Sequence, residues 1–311
     1  MSYENKNLAK TQTRIAYLCL CHMDPAFISR MAKTLRYGQD KIFIHVDKKV
    51  NKDPFVCACQ GLKNVAFVED AVENYWGGFN AIIATMRIIQ FALNDGDYNR
   101  FVILQGQDYP LVSNDEIHNF FDRNTEIEFC RAKSISFNKD KGSYMKVCGY
   151  WNYDVSRQKR LKHFVCGVIN RLNTLGIPYR KRTFGEWEVY SGWAQVALTR
   201  QAAEHVLNVF LTNHKFNRYM KHRFPVDELY IQTIIHNSEF REKVVDGVVI
   251  GRYGATLRNL TYFEYRDEIM LFTKAEDYES LKATKCLFVR KVNSLSAELL
   301  DEIDRRIGVV K

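Results

Sequence analysis

The run Arg14-Ile-Ala-Tyr-Leu-Cys-Leu-Cys21, broken at once by His22-Met-Asp-Pro25, decides the fold class. After Arg14, seven residues of unrelieved apolar character with no polar alternation predict a strand covered on both faces. Such strands belong to parallel sheets flanked by helices, and the neighbouring segments agree. Helical spacing of Phe27, Ile28, Met31 and Leu35 predicts a helix over 26–35. Further apolar runs follow at Lys41–Val46, Val65–Val68 and Arg100–Leu104, with a helical pattern over 79–93 between the last two. This alternation is that of an α/β domain with a mainly parallel, mixed central sheet.

Ligands in such sheets bind at the carboxyl ends of the strands. Three of those ends carry polar residues at odds with their apolar bodies: His22 and Asp24, Asp47 to Lys49, and Gln105 to Asp108. Their convergence would build a nucleotide pocket, and simple capping turns would explain each one singly. Farther on, Val189–Leu198 reads as one strand passing through Tyr190-Ser-Gly192. Helices are expected at 200–211, 228–235 and 294–308. No linker or internal repeat divides the chain, so a tail over 1–12 and one domain over 13–311 are expected.

Composition narrows the function. The 311 residues are 46% hydrophobic and 26% charged, an ordinary globular balance, with a net charge of +9 that favours anionic partners. No zinc-finger spacing, RNP-like strand or GxxG clamp supports nucleic acid, which leaves a phosphorylated substrate or a lipid surface. No apolar run reaches 18 residues and Met1–Lys10 lacks a signal-peptide core, so a cytoplasmic location is expected. The eight cysteines lack CxxC zinc spacing and read as buried reduced thiols, with Cys19 and Cys21 on one strand face.

The middle of the chain is basic. Leu161, Phe164, Val165, Val168, Ile169, Leu172 and Leu175 form a helical stripe accompanied by Arg157, Arg160, Lys162 and Arg171. Two readings stay open: a surface helix packed on the core, or a helix lying on a membrane surface and holding the protein near a lipid-linked acceptor.

The chain contains no GxxxxGK[ST] loop, GxGxxG turn, HExxH or GxSxG elbow. Asp95-Gly-Asp97, its one Asp-x-Asp, precedes the fourth strand and looks like a turn. A metal is therefore not implied. Arg266, Lys274, Arg290 and Lys291 are candidate cations for a diphosphate, and Lys291 closes the short run Cys286-Leu-Phe-Val-Arg-Lys291. Asp227-Glu228, after Pro225 and before an apolar helix, can cap that helix or supply a general base.

Taken in order, several segments resemble the Core-2/I-branching β-1,6-N-acetylglucosaminyltransferase family, which also includes peptide O-xylosyltransferases. They are Ile15-Ala-Tyr17 with His22, Ile44-His-Val-Asp-Lys48, Tyr75-Trp-Gly-Gly78, Asp97 through Leu111, Tyr190-Ser-Gly192, Pro225-Val-Asp-Glu228 and Leu287-Phe-Val-Arg-Lys291. The resemblance spans about residues 13–293. It implies a Rossmann-like GT-A glycosyltransferase fold without a metal-binding Asp-x-Asp, and inverting, metal-independent transfer from a UDP-sugar to a glycan hydroxyl. Glu228 becomes the catalytic base, Asp47 the uridine partner and Lys291 the diphosphate cation. The family's second cation does not align, since Glu268 falls at its spacing; Arg266 is the substitute, with Lys274 in reserve. Glu128 and Tyr262 are carried over as acceptor contacts. The donor sugar is expected to be GlcNAc, with xylose as the alternative, and a non-catalytic basic binding module is the rival class. Animal members are anchored Golgi proteins with disulfides. This chain is similar instead to the shorter bacterial members, which implies surface-polysaccharide synthesis at the inner face of the cell membrane on a glycan or lipid-linked glycan acceptor.

Overall fold

The structure, a computed structural model, describes residues 13–138, 140–151, 154, 160–175, 181–245, 259–265 and 268–309. Its first part alternates as the apolar pattern requires: β1 Ile15–Cys21, α1 Pro25–Thr34, β2 Lys41–Val46, α2 Asp53–Ala58, β3 Val65–Phe67, α3 Asn80–Asp95 and β4 Arg100–Gln105. β1 pairs in parallel with β2 on one side and β4 on the other, and β3 pairs in parallel with β2. The strand Ala197–Thr199 closes the edge beside β4 in antiparallel sense, so the sheet is mixed.

Alternation along β1 splits the core into two. Ala16, Leu18 and Leu20 join the cluster under α3 and the helices Arg200–Thr212 and Tyr230–His236. Ile15, Tyr17, Cys19 and Cys21 join the cluster under α1 and the C-terminal helix Ala297–Ile307. A strand covered on both faces has no solvent side, which is why β1 shows no polar alternation. Cys19 and Cys21 do share a face; all eight cysteines are free thiols, although Cys57 is exposed and Cys286 half-buried rather than buried.

Two boundaries differ from the sequence expectation. Val189–Leu198 is two strands in different sheets: Tyr190–Gly192 pairs with Ala132–Ser134, and Ala197–Thr199 pairs with β4. Gly192 marks the close approach, since a Cβ there would meet the Arg131 carbonyl. In place of one helix at 228–235 there is a 3₁₀ turn at Val226–Glu228, and the α-helix begins later, at Tyr230–His236.

A second sheet sets the cleft's far wall. β5, Asp108–Pro110, pairs antiparallel with Phe288–Arg290, which runs parallel to Thr261–Tyr262. The register places Arg290 opposite Asp108, at the foot of β4.

Candidate active site

The order β3-β2-β1-β4 reverses direction of growth at β1, and the crevice beyond the carboxyl end of such a switch point is where α/β sheets hold ligands. A cleft of about 670 Å³ opens there. His22, Asp47 and Gln105 from the three strand ends line it, together with Lys49, Tyr75, Trp76, Asp227 and Arg290. Asp24 is not among them. It caps α1, accepting from Phe27 N at 3.1 Å, and also takes the Ser294 amide at 2.7 Å.

Asp47 is nearly buried and already well supplied with donors. Its carboxylate accepts from Lys49 N at 2.9 Å, Lys49 Nζ at 2.7 Å and Asn74 N at 3.3 Å. The Asn74 amide is shared between both oxygens at 3.3 Å, so the four contacts fill the carboxylate's acceptor positions, and a further donor would take the place of this long, shared one. Lys49 also lies 4.1 Å above the Tyr75 ring and donates to the Asn74 carbonyl, tying the 73–76 loop to β2.

The cations of the two walls converge on His22. Burial lowers its pKa; the charge of Asp47 opposes this, and those of Lys49, Lys291 and Arg290 reinforce it. Lys291 is half-buried and does not line the cleft itself, although its charge is among those that act on His22. Arg290 is held by Asp108, Nη1 to Oδ1 at 2.8 Å. Asp108 is fully buried; desolvation pushes its pKa up against the pull of Arg290.

The Pro225–Glu228 segment supplies two carboxylates that face different surroundings. Glu228 accepts from Lys146 Nζ at 3.1 Å, and the same ammonium reaches Ser191 Oγ at 3.4 Å. Asp227 lines the cleft, and its buried Oδ1 has no hydrogen-bond partner. Desolvation, then the charge of Glu228, raises Asp227 to about 6. Neither carboxylate caps the following helix, whose N-cap Leu229 makes no side-chain cap bond. That removes the capping explanation for the pair.

The turn Tyr75–Gly78 packs against this segment. Gly77 has φ +73°, and a Cβ on it would strike the Phe224 ring; a Cβ on Gly78 would strike Asp154. Trp76 meets Phe224 edge-on, with ring centroids 4.7 Å apart.

Three other sequence candidates lie elsewhere. Glu128 is fully buried outside the cleft, accepting from Thr199 N at 2.9 Å and Thr199 Oγ1 at 2.5 Å; burial raises its pKa. It is a strand-to-helix fastening rather than an acceptor contact. Tyr262 borders a separate cavity with Phe120, Phe129 and Arg131. Lys274 is exposed, its amide bonded to Asp277 Oδ2 at 3.3 Å, and does not line the cleft. Arg266 lies outside the described residues. Asp95 ends α3 and binds Lys41 Nζ at 2.7 Å and the Tyr98 hydroxyl at 2.9 Å, as a turn residue would. Among the described residues no three His, Cys, Asp or Glu side chains are grouped as metal ligands.

A profile of the Core-2/I-Branching enzyme family matches residues 15–262, most of the chain. The chain belongs to that family. Its membership places it among the glycosyltransferases. Xylosyltransferase 2 of Pan troglodytes and of Homo sapiens are each 25% identical to it over 250 residues, covering 75% of this chain and 26% of theirs. Xylosyltransferase 1 of Mus musculus is 26% identical over 147 residues, 44% of this chain and 14% of its own. The chain thus spans about a quarter of the length of the curated relatives it matches.

Lys146, Lys49 and Asn74 were missed as site residues by sequence reasoning. Lys146 sits in a basic stretch and meets its partner 82 positions away, a pairing no local pattern encodes. Lys49 was legible only as part of a polar strand end.

Proposed function

We propose that this protein is an inverting, metal-independent glycosyltransferase of GT-A type that moves a sugar from a UDP-sugar to a glycan hydroxyl. The observation that carries the reading is the pairing of Glu228 with Lys146 beside a cleft built at the switch point of the sheet. In direct displacement, Glu228 takes the proton of the acceptor hydroxyl as its oxygen attacks the donor's anomeric carbon, and UDP departs with the electron pair of the broken bond. Inversion at that carbon gives a β-linked product from an α-linked donor.

Charge on the departing diphosphate needs a fixed counter-charge. Lys291 supplies it, backed by the Arg290 guanidinium in the cleft wall and by Lys49; cations in a partly dehydrated cleft act several-fold more strongly than in water. Asp47 takes the uracil imide in place of its long, shared contact with the Asn74 amide. With no Asp-x-Asp at a strand end, the cations do the work of a metal, and EDTA is expected to leave turnover unchanged.

The sequence resemblance to N-acetylglucosaminyltransferases favours GlcNAc as donor, and the named relatives favour xylose. A bacterial surface-polysaccharide acceptor accords with the family resemblance to the shorter members. A thermal-shift comparison of UDP-GlcNAc, UDP-xylose and UDP-glucose, with and without EDTA, tests donor and metal together. Stabilisation by none of them overturns the reading in favour of a non-catalytic basic module.

Asp227 offers a second reading for the base. It lines the cleft, carries an unpartnered oxygen, and has a pKa of about 6, near the value a general base needs. Turnover by Asp227→Asn and Glu228→Gln separates the two. Collapse in the first with survival in the second would reassign the base.

A further inference from the structure

The helix Arg160–Thr174 is mounted inside out. At about 100° per residue, Phe164, Val165, Val168, Leu172 and Leu175 fall within one arc of roughly 100°, with Cys166 and Asn170 on the far side. Cys166 and Asn170 are the buried positions, and Asn170 docks the helix by accepting from Tyr150 N at 2.7 Å and donating to Tyr150 O at 3.0 Å. The apolar arc faces out: its five side chains are 45–71% exposed. They make up five of the thirteen large exposed hydrophobics among the described residues. A globular surface helix turns its apolar arc to the core, and scattered exposed leucines need no explanation, but a contiguous arc does. The packed-on-core reading of this stripe is thereby corrected.

We propose that this arc is a membrane-docking surface that inserts into an anionic lipid interface. Charge selects that occupant. Residues 155–182 contain eight Lys or Arg and not one Asp or Glu. An apolar arc within so basic a stretch of sequence is the pattern of a helix lying in the headgroup plane, where cations attract anionic lipid. A second copy of the chain would bring the same positive charge against itself, which opposes a symmetric dimer through this face. Of these eight, Arg171 and Lys181 are exposed, and exposed Lys221 adds to them; Lys181 is joined through its carbonyl to Tyr219 and Arg223, and Lys221 neighbours His222, which stacks on Tyr150 at 4.6 Å.

The mounting also sets where the cleft would lie. Tyr150, which holds the helix, is followed by Trp151; Trp151 packs on Phe224 at 5.5 Å, and Phe224 on Trp76 in the cleft wall at 4.7 Å. A short aromatic chain thus connects the docking helix to the active-site mouth. Docking would present that mouth to an acceptor carried on lipid.

Flotation with vesicles of phosphatidylcholine alone, and of phosphatidylcholine with phosphatidylglycerol, tests this without any catalysis, so its outcome is independent of the glycosyl-transfer reading. The wild-type protein should float with the anionic vesicles and not the zwitterionic ones. The triple variant Phe164→Gln, Val168→Gln, Leu172→Gln should lower that partition by at least about tenfold with no fall in melting temperature, since all three side chains are already exposed. Charge reversal at Arg157, Lys159 and Arg160 to Glu should lower it too. Absence of wild-type binding overturns the proposal. So does a triple-Gln variant that floats as well as wild type, or one that converts a wild-type dimer into a monomer in sedimentation.

Discussion

Lys146 Nζ lies 3.1 Å from Glu228 Oε2, and both side chains are mostly withdrawn from water. An ammonium at this distance holds the carboxylate in place, and abstraction of a hydroxyl proton demands a fixed acceptor. Glu228→Gln preserves shape and removes the acceptor. Turnover should fall by about 10²- to 10⁴-fold while UDP-sugar affinity, read by calorimetry, stays within a few-fold. Turnover equal to wild type would sink the assignment. Lys146→Met should reproduce part of the loss in kcat with little change in KM, because its role is to position Glu228.

Asp227 makes stability depend on pH in an unusual direction. Its folded-state pKa of about 6 lies above the ordinary Asp value of about 3.9, so the folded protein keeps a proton the unfolded chain has released. Between about pH 4 and 6 the native state binds more protons, and stability falls as pH rises through that window, by on the order of 2–3 kcal/mol. Asp227→Asn removes the penalty. Melting curves should show the variant more stable than wild type at pH 7, with the gap closing below about pH 4. A gap that widens towards acid would mean the carboxylate is stabilised in the folded state instead.

Gly77 couples the loop carrying Tyr75 and Trp76 to the segment carrying Glu228. Its φ of +73° costs an L-residue about 1–2 kcal/mol, and the added methyl would displace the Phe224 ring. Gly77→Ala should lower the melting temperature modestly and reduce kcat by up to about 10²-fold, since small misplacement of reacting groups is expensive. Loss of stability with kcat intact would show that Phe224 moves without carrying Glu228.

Much of this was legible in the chain. The β1 run announces a doubly covered strand because burial on both faces erases alternation, and His22, Asp47 and Gln105 at the polar ends of β1, β2 and β4 mark the cleft because the three parallel strands end side by side. Asp47 and Arg290 stand at strand ends in the sequence and line the cleft, whereas Lys291, the next residue, does not line it. Glu128 misled because a buried carboxylate and an acceptor-binding one look alike in sequence; only the Thr199 bonds tell them apart. Asp24 misled in the same way, its Pro25 neighbour being a helix-start signal that outweighed a ligand role. The orientation of the Arg160–Thr174 helix could not be read at all, since an apolar stripe has the same period whether it faces the core or the solvent.

Arg290 serves two masters, and its variants can separate them. Asp108 is buried without solvent contact, and Arg290 is its counter-charge at 2.8 Å. Arg290→Met should leave that carboxylate uncompensated and cost about 3–5 kcal/mol of stability, because breaking one side of a buried pair exposes the full desolvation penalty of the other. The double variant Asp108→Asn, Arg290→Met removes the stranded charge and should recover much of that loss. Nucleotide binding should not recover with it if the guanidinium also faces the diphosphate from the cleft wall. Denaturant melts and UDP titrations on the same two proteins read the two effects independently. A double variant that regains both stability and UDP affinity would confine Arg290 to holding Asp108, and leave Lys291 to meet the diphosphate without it.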